Sequence, residues 1–134
     1  RKEFINIGED NTQKRKCLNE DNLVNLLTKK YKFKEIFLEN FDIQDKIKLL
    51  ENSKHIISLM GASLATYFFI KNKNIINLDN SYKCNVCLKK DLSKYNNFKT
   101  YDFSYHKGEG PFKHNMPFYI DLEKLEKVLD TIYL

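Results

Sequence analysis

Two hydrophobic periods alternate along this chain: short runs rich in β-formers, and longer stretches in which apolar residues recur every three or four positions. Lys2 to Ile7, ended by Gly8, predicts a strand. After the polar stretch Glu9 to Lys16, Asn19 is placed to cap a helix whose first turn carries Glu20 and Asp21. Leu23, Leu26, Leu27 and Tyr31 would form its buried face. Phe33 to Leu38 reads as a second strand, and Asp42 as the cap of a second helix with Ile43, Ile47 and Leu50 inward. His55 to Leu59 is a third strand. It runs into the small-residue turn Met60-Gly61-Ala62-Ser63 and a helix through about Phe69. Asn74 to Leu78 is almost wholly apolar, the kind of strand that lies covered on both faces of a parallel sheet. A short helix around Cys84 to Tyr95, a fifth strand from Phe98 to Phe103 and a loop from Ser104 to Tyr119 are expected next. The last helix would begin at an Asp121 cap and bury Leu122, Leu125, Val128, Leu129 and Ile132.

Strand and helix thus alternate with short connections. Parallel neighbours need crossover helices, and those cover both faces, so the pattern predicts an α/β fold: a Rossmann-like parallel sheet flanked by helices. With 134 residues, no internal repeat and no linker, residues 1–134 read as one domain. The chain opens on Arg1 and is read as a piece of a longer protein.

Composition changes this picture little. The net charge of +5 comes from lysines spread along the whole chain beside abundant Asn and Ile, which speaks for a surface and not for a nucleic-acid partner. The longest apolar run, Ala62 to Ile70, is interrupted by Ser63 and Thr66, so no membrane span is expected. Cys17, Cys84 and Cys87 make no disulfide framework and no glycosylation sequon is present; both favour a reducing, cytoplasmic setting.

In open parallel sheets, ligands bind beyond the carboxyl ends of the strands. Three segments meet that condition: Gly8 to Leu18, Met60 to Leu64, and Asn77 to Ser81. The second lets a ligand approach the backbone at Gly61 and Ala62, offers amides at a helix start, and adds the Ser63 hydroxyl. The same small residues also suit close helix packing. Neither a dinucleotide fingerprint nor a P-loop is present. The first segment carries Lys14-Arg15-Lys16, and an arginine fork suits a diphosphate.

Taken in order, these elements resemble glycosyltransferase family 61 from Gly8 to about Phe103. The residues are Arg15 followed by Asn19-Glu20, then Leu38-Glu39, Gln44, Met60-Gly61-Ala62-Ser63-Leu64, Phe69, and Ile75-Ile76-Asn77-Leu78. The chain departs from the family pattern at several positions. Met60 replaces a His, Ser63 a Gly, Thr66 an Asn and Asn77 a Glu, while an Arg after the first strand is missing from Gly8-Glu9-Asp10. The resemblance implies the C-terminal, donor-binding lobe of a GT-B glycosyltransferase, partnered by an N-terminal acceptor-binding lobe. It would move sugar from a nucleoside-diphosphate sugar to a glycan or protein acceptor. Arg15, Asn19, Glu20, Gly61, Ala62, Ser63, Leu64, Asn77 and Asp79 would bind the donor, with Arg15 and the Gly61–Leu64 amides taking the diphosphate charge. Asn77 or Asp79 would bond the ribose or base. No catalytic residue is nominated. No Asp-x-Asp motif is present, so no metal or other cofactor is expected.

Two further readings stay open. A degenerate, non-catalytic Rossmann-like interaction domain is the alternative to an enzyme. Cys84, Cys87, His106 and His114 offer four zinc-ligand types, but seven residues separate the histidines where three to five is usual. The Ser104 to Tyr119 loop, with His106, Glu109 and His114, reads as a surface loop or a cover over the donor site.

Overall fold

A computed structural model describes residues 2–6, 17–59, 67–79, 90–108, 110–111 and 117–133; for residues 2–6 and 39 it describes the backbone. Strands β1 (Lys2–Asn6), β2 (Lys34–Ile36), β3 (His55–Leu59), β4 (Asn74–Leu78) and β5 (Asn97–Tyr101) form one sheet in the order β2-β1-β3-β4-β5. Every pairing is parallel. Helix α1 (Glu20–Asn25), which continues as a π-turn over Leu26–Lys30, lies between β1 and β2 in the chain; helix α2 (Ile43–Glu51) lies between β2 and β3. Helix α3 (Leu122–Tyr133) closes the chain.

Successive strand residues face opposite sides of the sheet, and each side has its own core. On one, Leu23 and Leu27 of the α1 segment and Leu125 and Leu129 of α3 pack over Ile57 and Ile76. Both helical pairs are spaced by four, which puts them on one face. On the other side, Leu50 of α2, Tyr67, Ile70 and Leu92 cover Ile56 and Ile75. The parallel sheet flanked by helices is therefore the architecture that the alternation predicts. β3 and β4, paired on both edges, are buried on both faces as their apolar runs require. β5 has no neighbour on its far side among the described residues and shows it in its residues: Asn97 and Lys99 are exposed.

The predicted elements differ from the observed ones at their margins. β2 is three residues long, because Leu38–Asn40 turns into a 3-10 helix. Asp42 caps α2, accepting from the Asp45 amide at 2.8 Å, and Asp121 caps α3 through the Lys124 amide at 3.2 Å. Two expected core residues are not core: Ile43 is 52% exposed and Ile132 39%. Each sits near a helix end. The aromatic Tyr133, one residue beyond Ile132, packs instead against Tyr31, Phe33 and His55. The expected loop from Ser104 to Tyr119 contains a strand, β6 (Ser104–Tyr105), paired antiparallel with β7 (Tyr119–Ile120). Phe118 then forms a parallel bridge with Cys17, so residues 118–120 are paired with β6 on one side and with the entrance to α1 on the other.

Candidate functional site

The strand order makes neighbours of the strands that precede the expected ligand segments. β1, β3 and β4 are consecutive neighbours in the sheet, so the chain segments that follow them leave from three adjacent carboxyl ends. Between β1 and β3 the order reverses: the chain passes from β1 outward to β2, then returns to β3 on the other side of β1. Such a switch point is where open α/β sheets bind ligands, because the two outgoing connections diverge to opposite faces and leave a crevice. Arg15, Gly61, Ala62, Ser63 and Leu64 belong to the segments that follow β1 and β3, and lie outside the described residues. So do Cys84, Cys87, Glu109 and His114.

One rung below the carboxyl edge the sheet turns polar. Register aligns Ser58 of β3 with Asn77 of β4, and Asn77 with Thr100 of β5. Asn6 of β1 is Ser58's partner on the other side. Ser58 and Asn77 are fully buried and Asp79, just past β4, is 5% exposed. The Asn77 amide donates from Nδ2 to Asp79 Oδ1 at 2.7 Å and, more weakly, to Thr100 Oγ1 at 3.4 Å. Thr100 Oγ1 donates to Asp79 Oδ2 at 2.6 Å. The Asp79 amide is spent on the Tyr101 carbonyl at 2.9 Å, which extends the β4–β5 ladder by one bond. A buried carboxylate held by two side-chain donors is a preorganised acceptor; each such charge-assisted bond is worth roughly 1.5–3 kcal/mol. Of the predicted site residues, the structure brings Asn77 and Asp79 together here.

Sequence reasoning named Asn77 and Asp79 but missed Ser58 and Thr100. A signal was available: each is the fourth residue of an otherwise apolar or edge strand, as Asn77 is of β4. In a parallel sheet paired in step, equal positions along the strands become one row.

Asn19 and Glu20 lie at the start of α1, on the side of the sheet that carries α3. The capping role expected of Asn19 is not what its side chain does; it makes no cap hydrogen bond. Instead Nδ2 donates to the Ile120 carbonyl at 2.8 Å, and Oδ1 accepts from the Ile120 amide at 3.0 Å. The amide group thus mimics a strand neighbour for β7, and it could do so only because the chain returns there 101 residues later. Glu20 stands in the first turn of α1 as predicted. Cys17 is buried beside them, its Sγ donating to Asn19 Oδ1 at 3.4 Å. Burial pushes its thiol up to about 12; a backbone hydrogen bond at Asn19 pulls the other way and the Glu20 carboxylate adds to the rise. Cys17 stays protonated and is no nucleophile. Among the described residues no cluster of His, Cys, Asp and Glu is arranged to hold a metal ion, and no helix is long and apolar enough to cross a membrane.

A family model for glycosyltransferase 61 matches residues 1–76. The chain belongs to glycosyltransferase family 61. Membership carries the family's general chemistry, transfer of a glycosyl group from a sugar donor to an acceptor. The match takes in β1 through most of β4, and with them Arg15, Asn19, Glu20 and residues 61–64; it ends one residue before Asn77. The polar rung at Asn77, Asp79 and Thr100 therefore lies beyond the matched region. No curated protein matches the chain.

Proposed function

We propose that this chain is the donor-binding lobe of a GT-B family 61 transferase and binds a nucleoside-diphosphate sugar at the carboxyl edge of its sheet. The observation that supports this most is topological: the Arg15 and Gly61–Leu64 segments follow β1 and β3, the two adjacent strands at which the sheet order reverses. In this reading the diphosphate sits in the switch-point crevice. Arg15 and the backbone amides of 61–64 take up negative charge as the diphosphate leaves; their contribution is positioning and charge stabilisation. Asn77 and Thr100 hold the Asp79 carboxylate, which accepts from a ribose hydroxyl of the donor. The sequence has no Asp-x-Asp pair, and the proposal invokes no metal. The acceptor, a glycan or a protein, is held mainly by a partner N-terminal lobe.

A thermal-shift screen against nucleoside diphosphates and their sugars tests the proposal, with Arg15→Ala alongside. Ligand at a hundred times its dissociation constant adds roughly 2.7 kcal/mol of stability. Selective stabilisation by one diphosphate, abolished in Arg15→Ala, is the expected result. Absence of any shift favours the other reading, a non-catalytic interaction domain, to which the substitutions at Met60, Ser63, Thr66 and Asn77 point.

A further inference from the structure

The short β6–β7 ladder carries an outward face that the donor site does not use. Tyr105 and Tyr119 are register partners across it, and their rings stack at 5.4 Å between centroids with planes 21° apart. The Lys107 ammonium lies over the Tyr119 ring, 4.5 Å from its centroid. Lys107 lies in the bend that follows β6. Ser104 pairs with Ile120, whose side chain is buried in the core beneath. Tyr105 is 40% exposed, and Leu18, on the adjoining chain beside Phe118, is 47% exposed. The ladder is a separate two-stranded sheet, whose β6 follows the carboxyl end of β5 in the chain after two residues.

We infer that Tyr105, Tyr119 and Lys107 form a docking platform for an acidic oligosaccharide. The face of an aromatic ring is electron-rich, and the C–H face of a pyranose is apolar and slightly positive, so the two stack. Tyr119 is already covered by Tyr105 and Lys107, so the sugar would lie on Tyr105, which is 40% exposed. Pre-stacked rings lose little freedom on binding, so the contact is not spent on ordering them. Lys107 adds the selectivity: a carboxylate or sulfate on a neighbouring sugar unit pairs with its ammonium. An oligosaccharide is long enough to touch both groups. The inference rests on the reading that the chain handles glycans, and not on its donor site.

The experiment is a calorimetric titration of the full chain with a galacturonic-acid hexamer, its neutral methyl ester, and a single-stranded oligonucleotide of equal charge. The acid is expected to bind, with Tyr105→Ala weakening it at least fivefold, Tyr105→Phe retaining it, and Lys107→Gln reducing it to the level of the ester. Lys107 is exposed, so its variant keeps the test sharp even if Tyr105→Ala misfolds. The platform is overturned if the acid does not bind, if the ester binds equally well, if neither variant changes affinity, or if the oligonucleotide binds more tightly through Tyr105. Failure of the nucleotide screen with this binding intact would sink the donor reading alone. Nucleotide binding without hexamer binding would sink the platform alone.

Discussion

Replacing Thr100 by valine removes one hydroxyl from the buried rung and almost nothing else. The two side chains are nearly the same shape, so no cavity opens. What disappears is the 2.6 Å bond to Asp79 Oδ2 and the longer 3.4 Å contact from Asn77. A hydrogen bond to an ionised acceptor contributes about 1.5–3 kcal/mol, and here the acceptor is 5% exposed, so water replaces little of it. Valine recovers a few tenths of a kcal/mol through its better fit to a strand (~0.3). The net loss is therefore about 2 kcal/mol. In a chain of 134 residues each kcal/mol lowers the melting temperature by roughly 3–5 °C, so a fall of about 6–10 °C is expected. Urea unfolding followed by circular dichroism measures the energy, and a double-mutant cycle with Asp79→Ala isolates the pair. The coupling should exceed about 1 kcal/mol. A loss below about 0.5 kcal/mol, or additive single variants, would refute the claim that Thr100 and Asp79 act as one buried unit.

Three other outcomes follow from the same geometry. Asn19→Asp should destabilise the fold by about 1–3 kcal/mol, since a carboxylate cannot donate to the Ile120 carbonyl; a neutral effect in denaturant unfolding would restore the helix cap, where Asp and Asn are equivalent. Stability should fall between about pH 10 and 12, because burial raises both Tyr31 and Tyr133 to about 12, and for Tyr31 the hydrogen bond to Asp130 adds to the rise. The sign follows from the neutral phenol being the form the native state prefers: its contribution is whole below the ordinary value of 10.0 and lost on deprotonation. Tyr31→Phe should make that alkaline limb shallower, and an unchanged limb in a pH series of melts would contradict it. Lys32 holds a left-handed backbone (φ 62°) just past the π-turn, a conformation that costs a residue with a Cβ roughly 1–2 kcal/mol. Lys32→Gly should therefore gain about 0.5–1 kcal/mol after the entropy glycine loses on folding, and a lower melting temperature would count against it.

Much of this protein was legible from residues close together in the chain. The spacing by four in Leu23–Leu27 and Leu125–Leu129, the caps at Asp42 and Asp121, and the largely apolar runs of β3 and β4 are local patterns. Each reports which face of an element must leave water, and together they specify a covered parallel sheet. The ordered motifs from Arg15 to Ile76 carried the family for the same reason, since order and spacing survive in one dimension. Partnership was not legible. Asn19 looked like a cap because its nearest neighbours are helical; only the return of the chain at Ile120 offered its amide a better pair of bonds. Two-residue strands such as β6 and β7 have no period to read, so the Tyr105–Tyr119 stack existed nowhere in the sequence pattern. Ser58, Asn77 and Thr100 were three separate polar residues until register made them one row. Hydrophobic periodicity acts through each element's own surface and is written locally. Hydrogen-bond partners are chosen by proximity in space, and that was decided when the strands took their order and register.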